Sequence, residues 1–131
     1  MTDLVKVLHV EDDPEILEIS GMALTLVGGL DIVQVDRGEK ALDVVADFNP
    51  QLVLSDMQMP GLTGAETIAA IRKMPQFQNI PCVFMTAKLL DGGESIMTHP
   101  QDIGLIPKPF DPMTLADELR ALWNSQVQQA A

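Results

Sequence analysis

The sequence is short of cysteine and of basic residues, and each shortage argues against a class of protein. A single cysteine among 131 residues cannot form an internal disulfide, which fits a reducing cytoplasm. Eight lysines and arginines against nineteen acidic residues give a formal charge of −11. The chain therefore lacks the basic footprint that contacts with nucleic-acid phosphates require, and we expect no nucleic-acid binding by this domain.

We also expect neither a membrane-spanning segment nor a secretory leader. No apolar run approaches the length that spans a bilayer, which argues against a membrane protein. Met1-Thr2-Asp3 is not followed by the basic and apolar regions of a signal peptide. We expect a cytoplasmic protein without a membrane partner.

What the sequence does contain is enough apolar material for one compact domain. Hydrophobic residues make up 47% of the chain, and 131 residues are the size of a single domain with a real core. We assign residues 1–126 to this domain and residues 127–131 to a frayed C-terminal tail. Nothing in the sequence indicates a repeat or a linker.

Short apolar runs alternate with longer segments of helical period, which is typical of an α/β protein with a parallel sheet. The most economical topology is a doubly wound, five-stranded parallel sheet in the flavodoxin-like order 2-1-3-4-5. The predicted strands are Val5–Val10, Asp31–Val35, Leu52–Leu54, Pro81–Met85 and Gly104–Ile106.

The intervening segments carry helix start and stop signals. Asp13-Pro14 opens the first predicted helix, and Gly28-Gly29 ends it. Its predicted inward face is Ile16, Ile19, Ala23 and Leu26.

Two later helices begin with the pattern of a capping box, and the last begins with an acid before a proline. The capping-box pairs are Asp36 with Glu39 and Thr63 with Glu66. Asp111-Pro112 opens the last helix. Between Thr86 and the fifth strand, glycine and proline pairs leave space for only a short or irregular fourth helix.

Polar residues follow or end four of the predicted strands. They are Glu11, Asp12, Asp56, Thr86 and Lys108. Because the carboxyl ends of parallel strands share one edge of the sheet, these five side chains should emerge together. Strands one and three are neighbours in the predicted order, so the Glu11-Asp12 pair should lie beside Asp56.

Three carboxylates close together repel one another, and a hard divalent cation relieves that repulsion. Mg²⁺ suits carboxylates, a backbone carbonyl and phosphate oxygens, and the loop Met57–Gly61 could supply the carbonyl. In that setting Asp56 is a candidate nucleophile that attacks a phosphoryl group. Lys108 and Thr86 would meet the phosphate charge from the other side. Taken singly, each residue has an ordinary structural explanation, and only the set is specific.

Other chemically reactive residues have simpler explanations. His9 lies within the first predicted strand and reads as a packed core histidine, and Cys82 reads as a small buried hydrophobe. Trp123 is either a core residue or an exposed partner contact.

With these motifs in place, the sequence resembles the receiver domain of two-component response regulators over nearly its whole length. The stretches that carry the resemblance are Val7–Pro14, Leu52–Gly61, Met85–Lys88 and Pro107–Phe110. The resemblance implies that a histidine kinase or a phosphotransfer protein phosphorylates Asp56 in the presence of Mg²⁺. It also implies that Asp12 binds the metal directly, Glu11 largely through water, and Gln58 through its backbone carbonyl. Thr86 and Lys108 would contact the phosphate.

The chain departs from the family pattern at one position of the usual switch. Receivers commonly carry an aromatic residue three positions before the lysine, and this chain has Leu105. We therefore expect activation to order or shift residues 88–104 instead of rotating an aromatic ring.

Four functions remain to be compared. The leading one is a phosphoacceptor switch that signals by docking to an unidentified partner protein. We expect it not to act as an enzyme on other substrates. A homodimer is a further possibility that the sequence leaves undecided. A degenerate receiver that docks without phosphorylation is the main alternative. A phosphatase of the haloacid-dehalogenase kind needs an acid at the position of Gln58, and a flavodoxin-type FMN binder needs a neutral phosphate loop where this chain has acids.

Overall fold

The computed structural model describes residues 3–87 and 97–130, and these form a single five-stranded parallel sheet with helices on both faces. The strands are β1 (Lys6–Val10), β2 (Asp31–Val35), β3 (Leu52–Asp56), β4 (Cys82–Thr86) and β5 (Asp102–Pro107). Their order across the sheet is β2-β1-β3-β4-β5, which confirms the predicted flavodoxin-like topology. Each observed strand overlaps its predicted range, and β5 is longer than expected.

The strand register determines which residues meet at the carboxyl edge. Val10 of β1 lies opposite Ser55 of β3, and Asp56 lies opposite Met85 of β4. Because β1 and β3 are direct neighbours, the residues that follow Val10 come out beside Asp56.

Four α-helices lie within the described residues: α1 (Pro14–Met22), α2 (Gly38–Phe48), α3 (Gly64–Arg72) and α4 (Leu115–Ala130). A π-helical segment (Ala23–Val27) continues α1, and a 3₁₀ turn (Pro75–Phe77) follows α3. None of the described helices is long and apolar enough to cross a membrane.

The first helix starts where predicted but buries a different face. The Asp13 carboxylate accepts hydrogen bonds from the amides of Glu15 and Ile16, as expected of an N-cap. Ala23 is buried as predicted, yet Ile19 and Leu26 are 42% and 80% exposed.

The buried positions of this segment are Ser20, Ala23 and Leu24. Apolar residues occur on every side of it, so the periodicity does not select one face. From Ala23 the chain changes to i→i+5 hydrogen bonds, including Gly28 N–H to Ala23 O at 3.0 Å, which turns Leu26 outward.

One of the two predicted capping boxes is wrong and the other is confirmed. Arg37, not Asp36, is the N-cap of α2, because the Asp36 carboxylate is paired with Lys40 at 2.9 Å. At α3, Thr63 Oγ1 accepts from the Glu66 amide at 3.1 Å, and Glu66 Oε1 accepts from the Thr63 amide at 2.9 Å.

The sheet separates two apolar layers. Val7, Leu54 and Met85 face α1 and α4, where they pack on Leu24, Leu115 and Leu119. Leu8, Val53 and Phe84 face α2 and α3, where they pack on Val45, Ile68 and Ile71. With both faces covered, the central strands are fixed in position, and so are the polar residues at their ends.

Two predictions stay open. The expected short or irregular fourth helix, and most of the expected switch segment 88–104, fall on residues 88–96, which lie outside the described residues. The assignment of residues 127–131 to a frayed tail stays a prediction, as does the domain boundary at residue 126.

Candidate functional site

The carboxyl edge of the sheet gathers three carboxylates. Glu11 and Asp12 follow β1, and Asp56 is the last residue of β3. One carboxylate oxygen from each residue lies within 4.8 Å of the others. Glu11 is fully buried and Asp56 is 6% exposed, whereas Asp12 is exposed. The group is thus open to solvent on the Asp12 side and closed on the Glu11 side.

Lys108 approaches the same group from β5. Its Nζ atom lies 2.7 Å from Glu11 Oε1 and 3.2 Å from Asp56 Oδ1, and its side chain is largely buried. The Lys108–Pro109 peptide bond, which directly follows the residue that carries this ammonium, is cis. One ammonium is therefore shared by two buried carboxylates.

Thr86 is at the same edge, as predicted. It ends β4, it is 4% exposed, and its carbonyl accepts the Lys108 amide hydrogen at 2.9 Å. This backbone bond holds the end of β4 against the residue that carries the ammonium. All five residues singled out at the strand ends accordingly lie along one edge.

Burial dominates the electrostatics of the cluster. It raises the pKa of Glu11 to about 7, and the charge of Asp56 acts in the same direction, against the hydrogen bond from Lys108. Burial also raises the pKa of Asp56, against the opposing effects of Lys108 and the Gln58 amide. Burial alone would lower the pKa of Lys108, but its bonds to Glu11 and Asp56 raise it. The folded chain therefore resists full ionisation of its acids.

Gln58 lies in the loop between β3 and α3, next to Asp56. Its backbone amide hydrogen-bonds to the Asp56 carboxylate, and its side chain is exposed. The flanking Met57 and Met59 are each 8% exposed and pack into the α2/α3 layer. These two anchors hold the backbone of Gln58 close to the acids.

The donor set fits a hard divalent cation. All the candidate side-chain ligands are carboxylates, and Mg²⁺ prefers oxygen ligands with some positions left to water or phosphate. Lys108 offsets only part of the negative charge of three converging acids. The residues that could hold Mg²⁺ are Glu11, Asp12, Asp56 and the Gln58 carbonyl.

An apolar groove of about 440 Å³ adjoins Lys108. Its lining residues are Ile16, Ile19, Ala87, Lys108, Pro109, Phe110 and Pro112. The apolar periodicity of the sequence places Ile16 and Ile19 on the buried face of α1, so it does not predict this groove. The exposed Ile19 and the half-buried Ile16 beside a charged site indicate a contact surface.

The sequence also did not predict that the buried side chain of His9 is hydrogen-bonded to Gln34. His9 is fully buried, as predicted, and its Nδ1 accepts from Gln34 Nε2 at 3.0 Å. The same Gln34 amide donates to the Leu17 carbonyl at 2.9 Å and so joins β1, β2 and α1. Burial and the charge of Lys108 lower the pKa of His9 to about 3, so it is neutral.

At the position where receivers commonly carry an aromatic, Leu105 is half-buried and packs against the α2/α3 layer. It is a packing residue of the described structure.

Comparison with known proteins identifies the family. The family described as response regulator receiver domain matches residues 7–120. The chain is 30% identical over 122 residues to the response regulator Rre1 of Synechocystis, which covers 93% of this chain and 51% of Rre1. It thus spans about half the length of the curated relatives that it matches.

Solved structures agree. The chemotaxis protein CheY4 of Vibrio cholerae superimposes with a TM-score of 0.78 at 26% identity, over 91% of this chain and 98% of CheY4. The receiver domain of the sensor histidine kinase PA1611 of Pseudomonas aeruginosa, solved with magnesium in its active site cleft, shares the fold with a TM-score of 0.76. It is 22% identical and covers 94% of this chain and 97% of its own. The chain therefore belongs to the response regulator receiver domain family of two-component signalling.

Proposed function

We propose that this domain is a phosphoacceptor switch in which Asp56 takes a phosphoryl group from a histidine kinase or a phosphotransfer protein. One observation carries the proposal: a carboxylate oxygen of Asp56 lies within 4.8 Å of oxygens from two further carboxylates, and the Lys108 ammonium lies 3.2 Å from Asp56 Oδ1. In the transfer, an Asp56 carboxylate oxygen bonds to phosphorus as the phosphorus–nitrogen bond of the donor phosphohistidine breaks. The product is an acyl phosphate on Asp56.

Asp56 and its neighbours have distinct roles in this proposal. Glu11, Asp12, Asp56 and the Gln58 carbonyl would hold Mg²⁺, which when bound neutralises charge on the transferring phosphoryl group. Lys108 loses its ion pair with the Asp56 carboxylate when that group becomes the mixed anhydride of the acyl phosphate, and its ammonium can then pair with the phosphoryl oxygens. Thr86, at the end of the neighbouring strand, would contact the same oxygens.

The donor protein would dock on the apolar groove beside Lys108. A donor histidine must reach Asp56, which is only 6% exposed, so the surface around the opening has to fit the donor closely. The groove borders that opening and presents Ile19, which is 42% exposed. An apolar helix face on the donor matches such a surface.

Output is proposed to follow by docking of the phosphorylated domain to a partner protein. The curated relatives are about twice as long as this chain, so their whole activities are not transferred to it.

The test is intact-protein mass spectrometry after incubation with acetyl phosphate, with and without Mg²⁺. We expect a Mg²⁺-dependent gain of one phosphoryl group in the wild type and no gain in Asp56→Asn. A labelled histidine kinase serves as a second donor, so that a strict need for a protein donor is detected. If neither donor phosphorylates Asp56, the domain is not a phosphoacceptor and a docking module independent of phosphorylation replaces the proposal.

A further inference from the structure

The start of α3 lies directly against the backbone of the proposed phosphoacceptor. A Cβ atom built on Gly64 would lie 2.3 Å from the Asp56 carbonyl oxygen and 3.1 Å from Met57 Cα. All the nearest atoms belong to the backbone, so no side chain could move aside to make room. Only a residue without a side chain permits this approach.

The approach closes the loop that carries Gln58. The Gly64 amide donates to the Met57 carbonyl at 3.0 Å, and the Met57 amide donates to the Met85 carbonyl of β4 at 3.0 Å. Met57 is thereby fastened to the sheet on one side and to α3 on the other. Because Gln58 is the next residue, these two hydrogen bonds also fix the position of its backbone.

If Gly64 is replaced by a residue with a side chain, the sheet cannot move to make room for it. Asp56 belongs to the central strand β3, which pairs with both β1 and β4. The loop and the first turn of α3 must move instead. They take with them the Gln58 amide, which bonds to the Asp56 carboxylate, and the Gln58 carbonyl.

We infer that Gly64 is a positioning residue for the metal site, because its missing side chain lets α3 close the loop that sets the Gln58 backbone beside Asp56. The inference rests on the proposed function, in which Mg²⁺ binds at Glu11, Asp12, Asp56 and the Gln58 carbonyl. Gly64 itself touches neither metal nor phosphate.

The first test compares Gly64→Ala with a matched glycine variant on the other face. At Gly28 an added Cβ would lie 2.4 Å from Ala116 Cβ and 2.8 Å from the Leu24 carbonyl, a similar clash far from the acids. Titration calorimetry with Mg²⁺ on the unphosphorylated proteins should show about 10- to 100-fold weaker binding for Gly64→Ala. Gly28→Ala should lower the melting temperature and keep the wild-type affinity.

The second test needs no variant and covers the case in which Gly64→Ala does not fold. If opening of the Gly64–Met57 bond destroys the metal site, saturating Mg²⁺ must suppress that opening. At a Mg²⁺ concentration 100 times the dissociation constant, hydrogen exchange of the Gly64 amide should slow by about 100-fold. The Asn49 amide, bonded to Val45 O at the end of α2, is the internal control and should not change.

The outcomes separate the inference from the proposed function. An unchanged Mg²⁺ affinity in Gly64→Ala, equal losses in both glycine variants, or unaltered exchange at Gly64 would overturn the positioning role even if Asp56 is phosphorylated normally. A wild-type protein that binds Mg²⁺ with the predicted Gly64 dependence but accepts no phosphate would overturn the proposed function alone.

Discussion

At the scale of single residues, Glu11 is a buried carboxylate whose charge is only partly compensated. Its side chain is fully buried, with Oε1 against Lys108 Nζ at 2.7 Å and Oε2 accepting the Asp13 amide hydrogen at 3.2 Å. The ammonium compensates the charge of Glu11, yet it is shared with Asp56. Burial prevails over these bonds, and the pKa of Glu11 rises to about 7.

This conflict predicts how the stability of the metal-free protein depends on pH. The unfolded chain has the ordinary pKa of 4.5 at Glu11, so between pH 4.5 and 7 the folded state binds more protons. The stabilisation from a protonated Glu11 is therefore complete below pH 4.5 and is lost as pH rises through 7. The loss amounts to about 3 kcal/mol for a shift of this size.

Glu11→Gln should abolish that loss. In urea denaturation with EDTA, the free energy of unfolding of the variant minus that of the wild type should increase as pH rises from 5 to 7.5. His9 has a lowered pKa and contributes a slope of opposite sign, but both proteins contain it, so its effect cancels in the difference. A difference that stays constant with pH would contradict the raised pKa of Glu11.

At the scale of elements, the strands and the gathering of polar residues at the carboxyl edge of the sheet could be predicted, because both depend on patterns along the chain. Apolar runs covered on both faces are strand signals, and the carboxyl edge follows from topology. The predicted buried face of α1 was wrong, because apolar residues occur on every side of this helix and the π-helical segment changes which of them face the core. The predicted capping box at α2 was wrong, because the Asp36 carboxylate pairs with Lys40 instead of capping the helix. The approach of Gly64 to Asp56 is a tertiary contact that no local pattern encodes.

The two capping-box patterns give a matched test at this scale. Thr63→Ala removes the hydrogen bond to the Glu66 amide at the start of α3 and should lower the free energy of unfolding by about 1 kcal/mol. Asp36→Ala has the same sequence pattern without the cap, since the Asp36 carboxylate is exposed and bonds to side chains. We expect no measurable change there. Equal destabilisation of both variants by thermal or urea unfolding would show that Asp36 also caps a helix in solution.

At the scale of the whole molecule, a strongly acidic chain carries an apolar groove beside the proposed phosphorylation site. The chain carries a formal charge of −11, but the groove beside Lys108 is lined by apolar residues and that lysine. A small anionic donor such as acetyl phosphate needs only the opening. A protein donor needs the surrounding surface as well, so the two donors should respond differently to a change in the groove.

Ile19→Glu tests that difference. The substitution puts a charge into the proposed contact and should slow phosphorylation by a histidine kinase at least tenfold, which corresponds to about 1.4 kcal/mol of lost interaction. The rate with acetyl phosphate should stay at the wild-type value, because Ile19 is not among the residues at Asp56. Val27→Glu is the control, since Val27 is 48% exposed on the same segment but does not line the groove. If Ile19→Glu slows both donors alike, the change acts on the phosphorylation site itself. If it slows neither, the donor docks on another surface.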